Sequence, residues 1–133
     1  MLPPARVRQF VRAIWFLCIL IVIVGSLLPG SSLPMQLLGR LELSDKFEHF
    51  AAYAVLAFLP ALHERRRLVL AAAVGALLLG VGLEYAQRYS GWRDFEVGDM
   101  VADAAGVGFG AAVGLLLRTT HFARSVFRGG SDK

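Results

Sequence analysis

The residues of this sequence that are best suited to catalysis or ligand binding lie in three short runs of an otherwise apolar chain. These runs are residues 45–53 (DKFEHFAAY), 84–88 (EYAQR) and 99–103 (DMVAD). Histidine and carboxylates transfer protons in general acid–base catalysis, and arginine holds phosphate or carboxylate by paired hydrogen bonds. Ionisable groups at a membrane boundary are costly and are retained mainly where they pair, face water or serve a function. We therefore expect any chemistry of this protein at these three runs.

Helical spacing predicts which of these side chains lie together. Asp45, His49 and Tyr53 follow one another at four-residue intervals and so share one helix face. We expect this face to meet similar faces of two later helices in one polar pocket. The predicted catalytic residues are His49, Glu84 and Asp99, and the predicted substrate-binding residues are Asp45, Lys46, Tyr53, Gln87, Arg88, Arg93 and Asp103.

Two other interpretations of this polar cluster remain open. In the first, the carboxylates pair with Lys46 and a loop arginine and form a structural lock, since buried ion pairs often fix geometry more than they stabilise. In the second, His49 binds a metal together with Asp45, Glu84 or Asp99. The metal alternative is the weaker one, because the cluster has one histidine and no H-x-x-x-H or cysteine pair. We favour the functional interpretation and expect no metal and no cofactor.

The composition indicates a membrane protein. The chain has 133 residues, 56% of them hydrophobic, and a mean hydropathy of +0.59. Four stretches approach the roughly 20 apolar residues of a membrane-spanning helix, at about residues 10–28, 47–62, 68–87 and 100–117. We predict an all-α membrane protein with four transmembrane helices in a single domain, residues 1–133. A cleaved signal peptide is the alternative for the first stretch, disfavoured because the run is long and no A-x-A-like site follows it.

The basic residues are distributed asymmetrically about these stretches. Of the fourteen, all except Arg40, Lys46, Arg88 and Arg93 lie before or at the start of the first stretch, join the second to the third, or follow the fourth. The positive-inside rule then predicts that both termini and the middle loop are cytoplasmic. We attribute the pI near 9.8 to this topology. The expected partner is membrane lipid, not nucleic acid.

Local signals predict several helix ends. Ser44 is a suitable N-cap for the second helix, and Asp45 favours the N-terminus of that helix through the helix dipole. A short interfacial helix is expected at residues 36–42. We expect His63 to be a solvated residue on the cytoplasmic side and Trp15 to be a membrane anchor.

Glycine recurs along the last predicted helix at a spacing typical of close helix packing. Gly106, Gly110 and Gly114 are four residues apart, and Asp99 and Asp103 precede them on the same stripe. Small residues at this spacing let two helix backbones approach each other. The third predicted helix has the same order of glycine followed by ionisable residues. We expect both faces to point into the bundle.

At these residues the chain resembles the VanZ-like family, small multi-pass bacterial membrane proteins named for a teicoplanin-resistance determinant. The family pattern is roughly D-K-x-x-H-F-x-x-Y, then E-x-x-Q, then a loop arginine, then D-x-x-A-N-x-x-G-x-x-x-G. The resemblance covers about residues 40–117, and the matching residues are Asp45, Lys46, His49, Phe50, Tyr53, Glu84, Gln87, Arg93, Asp99, Ala102, Gly106 and Gly110. Where the family has asparagine, this chain has Asp103, a carboxylate in place of an amide donor.

The resemblance implies a protein of the bacterial inner (plasma) membrane that influences susceptibility to glycopeptides such as teicoplanin, and it brings no established reaction. We expect the polar pocket to face the outside and to bind or modify an anionic or lipid-linked cell-envelope precursor. In this interpretation His49 and Glu84 transfer protons. The alternative is a non-enzymatic membrane scaffold or accessory subunit whose charged cluster is a structural lock.

Overall fold

The chain folds into helices joined by short connections. The computed structural model describes residues 4–40, 44–91 and 96–119, apart from the side chain of Leu38. Helices contain 89% of this described part and it has no strand, so the predicted all-α class is confirmed. In chain order the helices are α1 (Ala5–Leu27), α2 (Leu33–Gly39), α3 (Asp45–His63), α4 (Arg66–Ser90) and α5 (Val97–Thr119).

Three of these helices, α1, α4 and α5, are long and apolar enough to cross a membrane. The described residues therefore support a membrane protein with transmembrane helices. The predicted fourth transmembrane helix corresponds to α3, which has 19 residues and is not among the three. Its first turn carries Asp45, Lys46 and Glu48, and these charges lower its mean hydropathy.

The short helix predicted at residues 36–42 lies earlier in the chain, at Leu33–Gly39. Its first turn contains Pro34, which is tolerated there because the N–H groups of a first turn have no helical partner. The backbone N–H of Gln36 closes that turn by donating to the Ser32 carbonyl oxygen at 3.0 Å. The end of the predicted segment lies outside the described residues.

The start of α3 follows the sequence signals closely. Ser44 is the N-cap, and its hydroxyl oxygen accepts a hydrogen bond from the Phe47 amide at 3.3 Å. Asp45 and Glu48 lie in the first turn, where negative charge is favoured by the helix dipole. The predicted cap is confirmed, and it fixes where His49 lies on the first turns of α3.

Near its other end, α3 contains Pro60, and a tryptophan from α1 compensates for it. Proline has no N–H, so the Leu56 carbonyl oxygen loses the donor that an α-helix would give it. The indole Nε1–H of Trp15 donates to that oxygen at 2.8 Å. Trp15 also packs against the hydrophobic core. The polar atom of Trp15 therefore serves the backbone of α3, and its role as a membrane anchor stays a prediction.

The glycine stripe of α5 packs directly against the backbone of α3, as predicted. A Cβ added to Gly106 would lie 2.3 Å from the Phe50 carbonyl oxygen, and one added to Gly110 would lie 2.0 Å from the Ala54 carbonyl oxygen. Gly114 is equally close to α3, with Ala61 Cβ at 2.6 Å. Only glycine allows this approach, and it brings the first turns of α3 and α5 together.

Contacts between helix ends define an antiparallel bundle. At one end, Gln87 Nε2 donates to the Ser26 carbonyl oxygen at 2.9 Å and joins the end of α4 to the end of α1. His49 contacts Asp103 there and joins the first turns of α3 to those of α5. We call this the His49 end. Successive long helices therefore run in opposite directions.

The opposite end of the bundle, the His63 end, contains a buried polar cluster. His63 and Glu64 are 1% and 6% exposed. Nδ1–H of His63 donates to the Leu59 carbonyl oxygen, and Nε2 lies 3.3 Å from Glu64 Oε1. Arg12 of α1 donates to Glu64 Oε1, and Arg118 of α5 donates to the Glu64 carbonyl oxygen. The prediction that His63 is solvated is wrong, because neighbouring helices cover the end of α3.

Candidate functional site

His49 lies at the centre of the polar cluster at the His49 end. Its Nδ1 is 2.8 Å from Asp103 Oδ1, and its Nε2 is 3.7 Å from Asp99 Oδ2. The first distance is that of a hydrogen bond and the second is too long for one. The Tyr53 ring lies parallel to the imidazole, with 6.5 Å between ring centroids. His49 is thus held between one carboxylate that orients it and another that faces its second nitrogen.

Lys46 is the lysine of the site. Its Nζ is 2.8 Å from Glu96 Oε2 and 3.8 Å from Asp99 Oδ1. The Lys46 side chain is 56% exposed, whereas that of Asp99 is 2% exposed. Lys46 therefore pairs mainly with Glu96 at the surface and reaches the buried Asp99 only at long range.

Glu84 of α4 closes the site on a third side. It is 1% exposed, and its Oε2 accepts a weak hydrogen bond from the Glu96 amide at 3.5 Å. One turn earlier, a Cβ added to Gly80 would lie 2.6 Å from Asp103 Oδ2 and 3.2 Å from the Tyr53 hydroxyl. The prediction that the glycine-bearing faces of α4 and α5 point into the bundle is confirmed.

Not all predicted site residues lie in this cluster. Gln87 is buried, but its amide group is bonded to the Ser26 carbonyl oxygen of α1. Arg88 is exposed on the last turn of α4. Arg93, which we predicted to hold an anionic substrate, lies outside the described residues. Asp45 lies one turn before His49 on α3, where the spacing placed it.

The described site is rich in negative charge. Glu84, Asp99 and Asp103 are all at least 98% buried, with exposures of 1%, 1% and 2%. In the described part of the chain, the cationic side chains within 4 Å of Asp99 and Asp103 are Lys46 and His49. Unpaired buried carboxylates are strongly disfavoured in apolar surroundings. Within the described residues, the negative charge of these carboxylates is therefore only partly balanced.

Three oxygens of these carboxylates have no hydrogen-bond partner within the ranges that the structure describes. They are Glu84 Oε1, Asp99 Oδ1 and Asp103 Oδ2. A buried acceptor without a partner costs about 1–3 kcal/mol, and more when it is charged. Such groups are typical of a site that is completed by something it binds.

An apolar groove of about 540 Å³ opens beside His49. One wall comes from the second half of α1 and includes Leu20 and Val24, and Pro34 and Met35 of α2 add to it. The acidic and histidine side chains of the groove lie on α3 and include Glu48 and His49. The groove is therefore apolar along its length and polar where it meets the cluster.

Sequence reasoning missed the contribution of α1 to this site. Apart from Ser26, the residues of α1 that line the groove belong to a continuous apolar run, in which no charged residue marks an inward face. It also missed Glu96 as the partner of Lys46. The charge of Glu96 just before α5 was the available signal, but its distance from Lys46 depends on how α5 docks against α3.

A second apolar groove, of about 560 Å³, lies between α1, α3 and α4 and extends to the His63 end. Trp15 and Pro60 line it, and His63 and Glu64 lie at its polar limit. The His63 Nε2 atom has no hydrogen-bond partner in the described chain. In this groove Arg12 already pairs with the carboxylate of Glu64.

No protein-family model, curated protein or solved structure matches this chain. The VanZ-like resemblance therefore stays a prediction from the spaced residues, and the site is interpreted from its own geometry.

Proposed function

We propose that the protein is a bacterial inner-membrane protein in which α3 is a fourth transmembrane helix and both termini are cytoplasmic. The 19 residues of α3 extend about 28 Å at 1.5 Å per residue, close to the roughly 30 Å of a hydrocarbon core. Helices α1 and α4 run antiparallel to α3, whereas α5 runs parallel to it and packs closely against it along the glycine stripe. The arginine-rich side of the bundle is the His63 end, and the positive-inside rule favours the cytoplasm for that end.

Cysteine labelling in cells tests this topology. With the single natural cysteine removed (Cys18→Ser), Ser44→Cys and Arg65→Cys place one thiol at each end of α3. Both positions are exposed. We expect a membrane-impermeant maleimide to label the first variant in intact cells and the second only after permeabilisation. Labelling of both from the same side would contradict a spanning α3.

We further propose that the groove at the His49 end binds a lipid-linked or anionic cell-envelope precursor. The observation that carries this proposal is the combination of an apolar groove with a polar end at His49. Apolar walls suit an isoprenoid or acyl chain, and a few convergent polar groups suit its head group. In this proposal the head group lies outside, at the polar end of the groove, beside His49 and the carboxylate of Asp103 that His49 contacts.

Gly25 provides a direct test of this groove. It lines the groove, and a Cβ there would meet nothing within 4 Å, so Gly25→Leu fills the groove without disturbing a helix contact at Cβ. Gly108→Leu is the matched control, because Gly108 is exposed and its Cβ position is equally open. Lipids that copurify in detergent are identified by mass spectrometry.

We expect a phosphate- or sugar-bearing lipid to be enriched with the wild type and with Gly108→Leu, and to be depleted at least several-fold with Gly25→Leu. The same bulk phospholipids in all three samples would refute binding in this groove. An effect of His49→Ala on glycopeptide susceptibility, at unchanged membrane abundance, would support a modifying activity. An unchanged susceptibility would remove His49 from any such activity.

The alternative function, a scaffold or accessory subunit, is favoured by the ion pairs that join helices. His49–Asp103 links α3 to α5, and Lys46–Glu96 links α3 to the residue before α5. If the cluster is only a lock, His49→Gln lowers the thermal stability and leaves the pattern of bound lipid unchanged. If the cluster holds a head group, His49→Gln changes the bound lipid as well.

A further inference from the structure

We propose that Asp45, His49 and Asp99 form a binding site for a divalent first-row transition metal ion, Mn²⁺ or Zn²⁺. One potential ligand atom from each residue lies within 4.8 Å of the other two. Asp45 and His49 are one turn apart on α3, and Asp99 reaches them from the first turn of α5. The close approach of the two helices at the glycine stripe brings the three side chains together.

The distance between His49 and Asp99 fits two ligands of one ion. Nε2 and Oδ2 are 3.7 Å apart, which exceeds the roughly 3.2 Å limit of a good hydrogen bond. Two ligands at about 2.1 Å from an ion are separated by about 3.4 Å in tetrahedral and 3.0 Å in octahedral geometry. A side-chain adjustment of a few tenths of an ångström therefore brings both onto one ion.

The orientation of the imidazole is also that of a metal ligand. A carboxylate accepts hydrogen bonds, so the 2.8 Å contact with Asp103 Oδ1 places the proton of neutral His49 on Nδ1. The lone pair is then on Nε2, the atom that faces Asp99. Metal-binding histidines generally donate their other N–H to a carboxylate in this way. Asp103 would therefore orient the ligand without binding the ion itself.

The unpartnered oxygen of Asp99 is an independent indication of a ligand. Asp99 is 1% exposed, and its Oδ1 has no hydrogen-bond partner in the described chain. Lys46 Nζ is 3.8 Å away and is bonded to Glu96 at 2.8 Å, so it does not satisfy this atom. Asp99 Oδ2 is the oxygen that faces His49, so a cation bound there would balance the buried charge of the carboxylate, and coordination by both carboxylate oxygens would also satisfy Oδ1.

The donor set selects the class of metal. One imidazole nitrogen with two carboxylates suits Zn²⁺ or Mn²⁺, whereas Ca²⁺ and Mg²⁺ prefer ligand sets made of oxygen alone. This inference departs from the expectation of no metal, which was based on the presence of one histidine. Neither the orienting role of Asp103 nor the approach of Asp99 to Nε2 was visible in the spacing of the residues.

A metal at this position also bears on the substrate class. It would supply the positive charge that an anionic head group requires in an otherwise acidic cluster, and a phosphate oxygen could complete its coordination. This step rests on the proposed lipid binding, whereas the metal site itself does not. With the ion in place, His49 is a ligand and not a proton acceptor.

Metal binding is tested on the purified full-length protein in detergent. After treatment with EDTA and removal of the chelator, the protein is titrated with Mn²⁺ and with Zn²⁺, and bound metal is measured by mass spectrometry. We expect one ion per chain in the wild type. We expect the metal to bind at least a hundredfold more weakly to Asp99→Asn, His49→Gln and Asp45→Asn. Of these three variants Asp45→Asn disturbs folding least, because residue 45 is at the start of its helix.

Glu48→Gln is the matched control, because Glu48 lies on the same turn of α3 and lines the groove without belonging to the ligand set. We expect this variant to bind like the wild type. Absence of Mn²⁺ and Zn²⁺ binding in the wild type overturns the proposal, as does wild-type affinity in a folded Asp45→Asn variant. An equal loss in Glu48→Gln also overturns it, since the ion would then be held by general negative charge.

The metal and lipid proposals fail in different ways. The titration is performed without added lipid, and lipid retention is compared between Gly25→Leu and Gly108→Leu. Stoichiometric metal binding with no groove-dependent lipid would leave the metal site standing and refute the proposed function. Lipid binding that depends on the groove, without metal binding, would leave the proposed function standing and refute the metal site.

Discussion

Replacing Gly110 with alanine should separate α5 from α3 and destabilise the bundle by about 3 kcal/mol. The added Cβ would lie 2.0 Å from the Ala54 carbonyl oxygen, although real Cβ atoms essentially never approach closer than 3.0 Å. The obstructing atom belongs to a helix backbone, so no side-chain rotation can relieve the contact. The helices must move apart by the difference between these distances, about 1 Å.

The magnitude follows from what that movement does to the interface. A gap of 0.5–1 Å removes about a quarter to a half of the attraction of each atom pair that it opens. Overpacking in a well-packed core costs about 1–3 kcal/mol, and occasionally more. We place Gly110→Ala at the upper end, because the neighbours Gly106 and Gly114 are in similarly close contact with α3 and cannot adjust independently.

The assay is unfolding in mixed micelles as the SDS fraction is raised, followed by circular dichroism. Gly108→Ala is the matched control on the same helix, because its Cβ position is open and the residue is exposed. Alanine has a higher helix propensity than glycine, so we expect this control to be as stable as the wild type or slightly more stable. If Gly110→Ala unfolds at the same SDS fraction as Gly108→Ala, the close packing of α3 on α5 is refuted.

Two further predictions concern the His63 end of the bundle. Trp15→Phe should lower the stability by about 1–2 kcal/mol, because it leaves the Leu56 carbonyl oxygen without a donor. This loss of stability, measured by SDS unfolding, should be smaller in a Pro60→Ala protein, in which the backbone N–H of residue 60 is restored. Equal losses with proline and with alanine at position 60 would exclude the coupling. The hydrogen bond from Arg12 holds the pKa of Glu64 below its usual value of 4.5. The ionised carboxylate therefore stabilises the folded protein fully at a pH above the unfolded-state pKa. This stabilisation is lost as the pH falls through the lower pKa of the folded state. The midpoint of thermal unfolding should therefore drop below about pH 4.5 more steeply in the wild type than in Glu64→Gln, and parallel pH profiles would contradict the pairing.

The helices and one of their interfaces could be predicted from the sequence because the signals are local or periodic. The N-cap at Ser44 needs only the next few residues. The glycine stripe of α5 repeats at helical spacing and identifies its packing face without knowledge of the partner. The same periodicity placed Asp99 and Asp103 inside the bundle.

The orientation of α1 could not be predicted in this way. Between residues 13 and 25 all sides of α1 are apolar, and none of the residues of α1 is buried. Apart from the pairing of Arg12 with Glu64, its inward face is set by two contacts with distant residues, Trp15 with Leu56 and Ser26 with Gln87. Both depend on backbone carbonyl oxygens, whose availability does not appear in a pattern of side chains.

Polar residues at helix ends were ambiguous for a related reason. His63 and Arg88 both occur near positive charges at the ends of apolar stretches. His63 is buried because α1 and α5 extend over it, whereas Arg88 lies on an uncovered side of α4 and is exposed. Whether such a residue is buried or exposed depends on how far the neighbouring helices extend, and the local sequence does not specify that length.

The central claim is that the groove between α1 and α3 holds the chain of a lipid whose head group lies at His49. The most direct test is crosslinking with a polyprenyl phosphate that carries a diazirine on its isoprenoid chain, followed by peptide mass spectrometry. We predict that labels concentrate on residues 20–28 and 48–53, which border the groove, and that Gly25→Leu abolishes them. Labels spread over the exposed faces of α4 and α5, or confined to the groove at the His63 end, would contradict the claim.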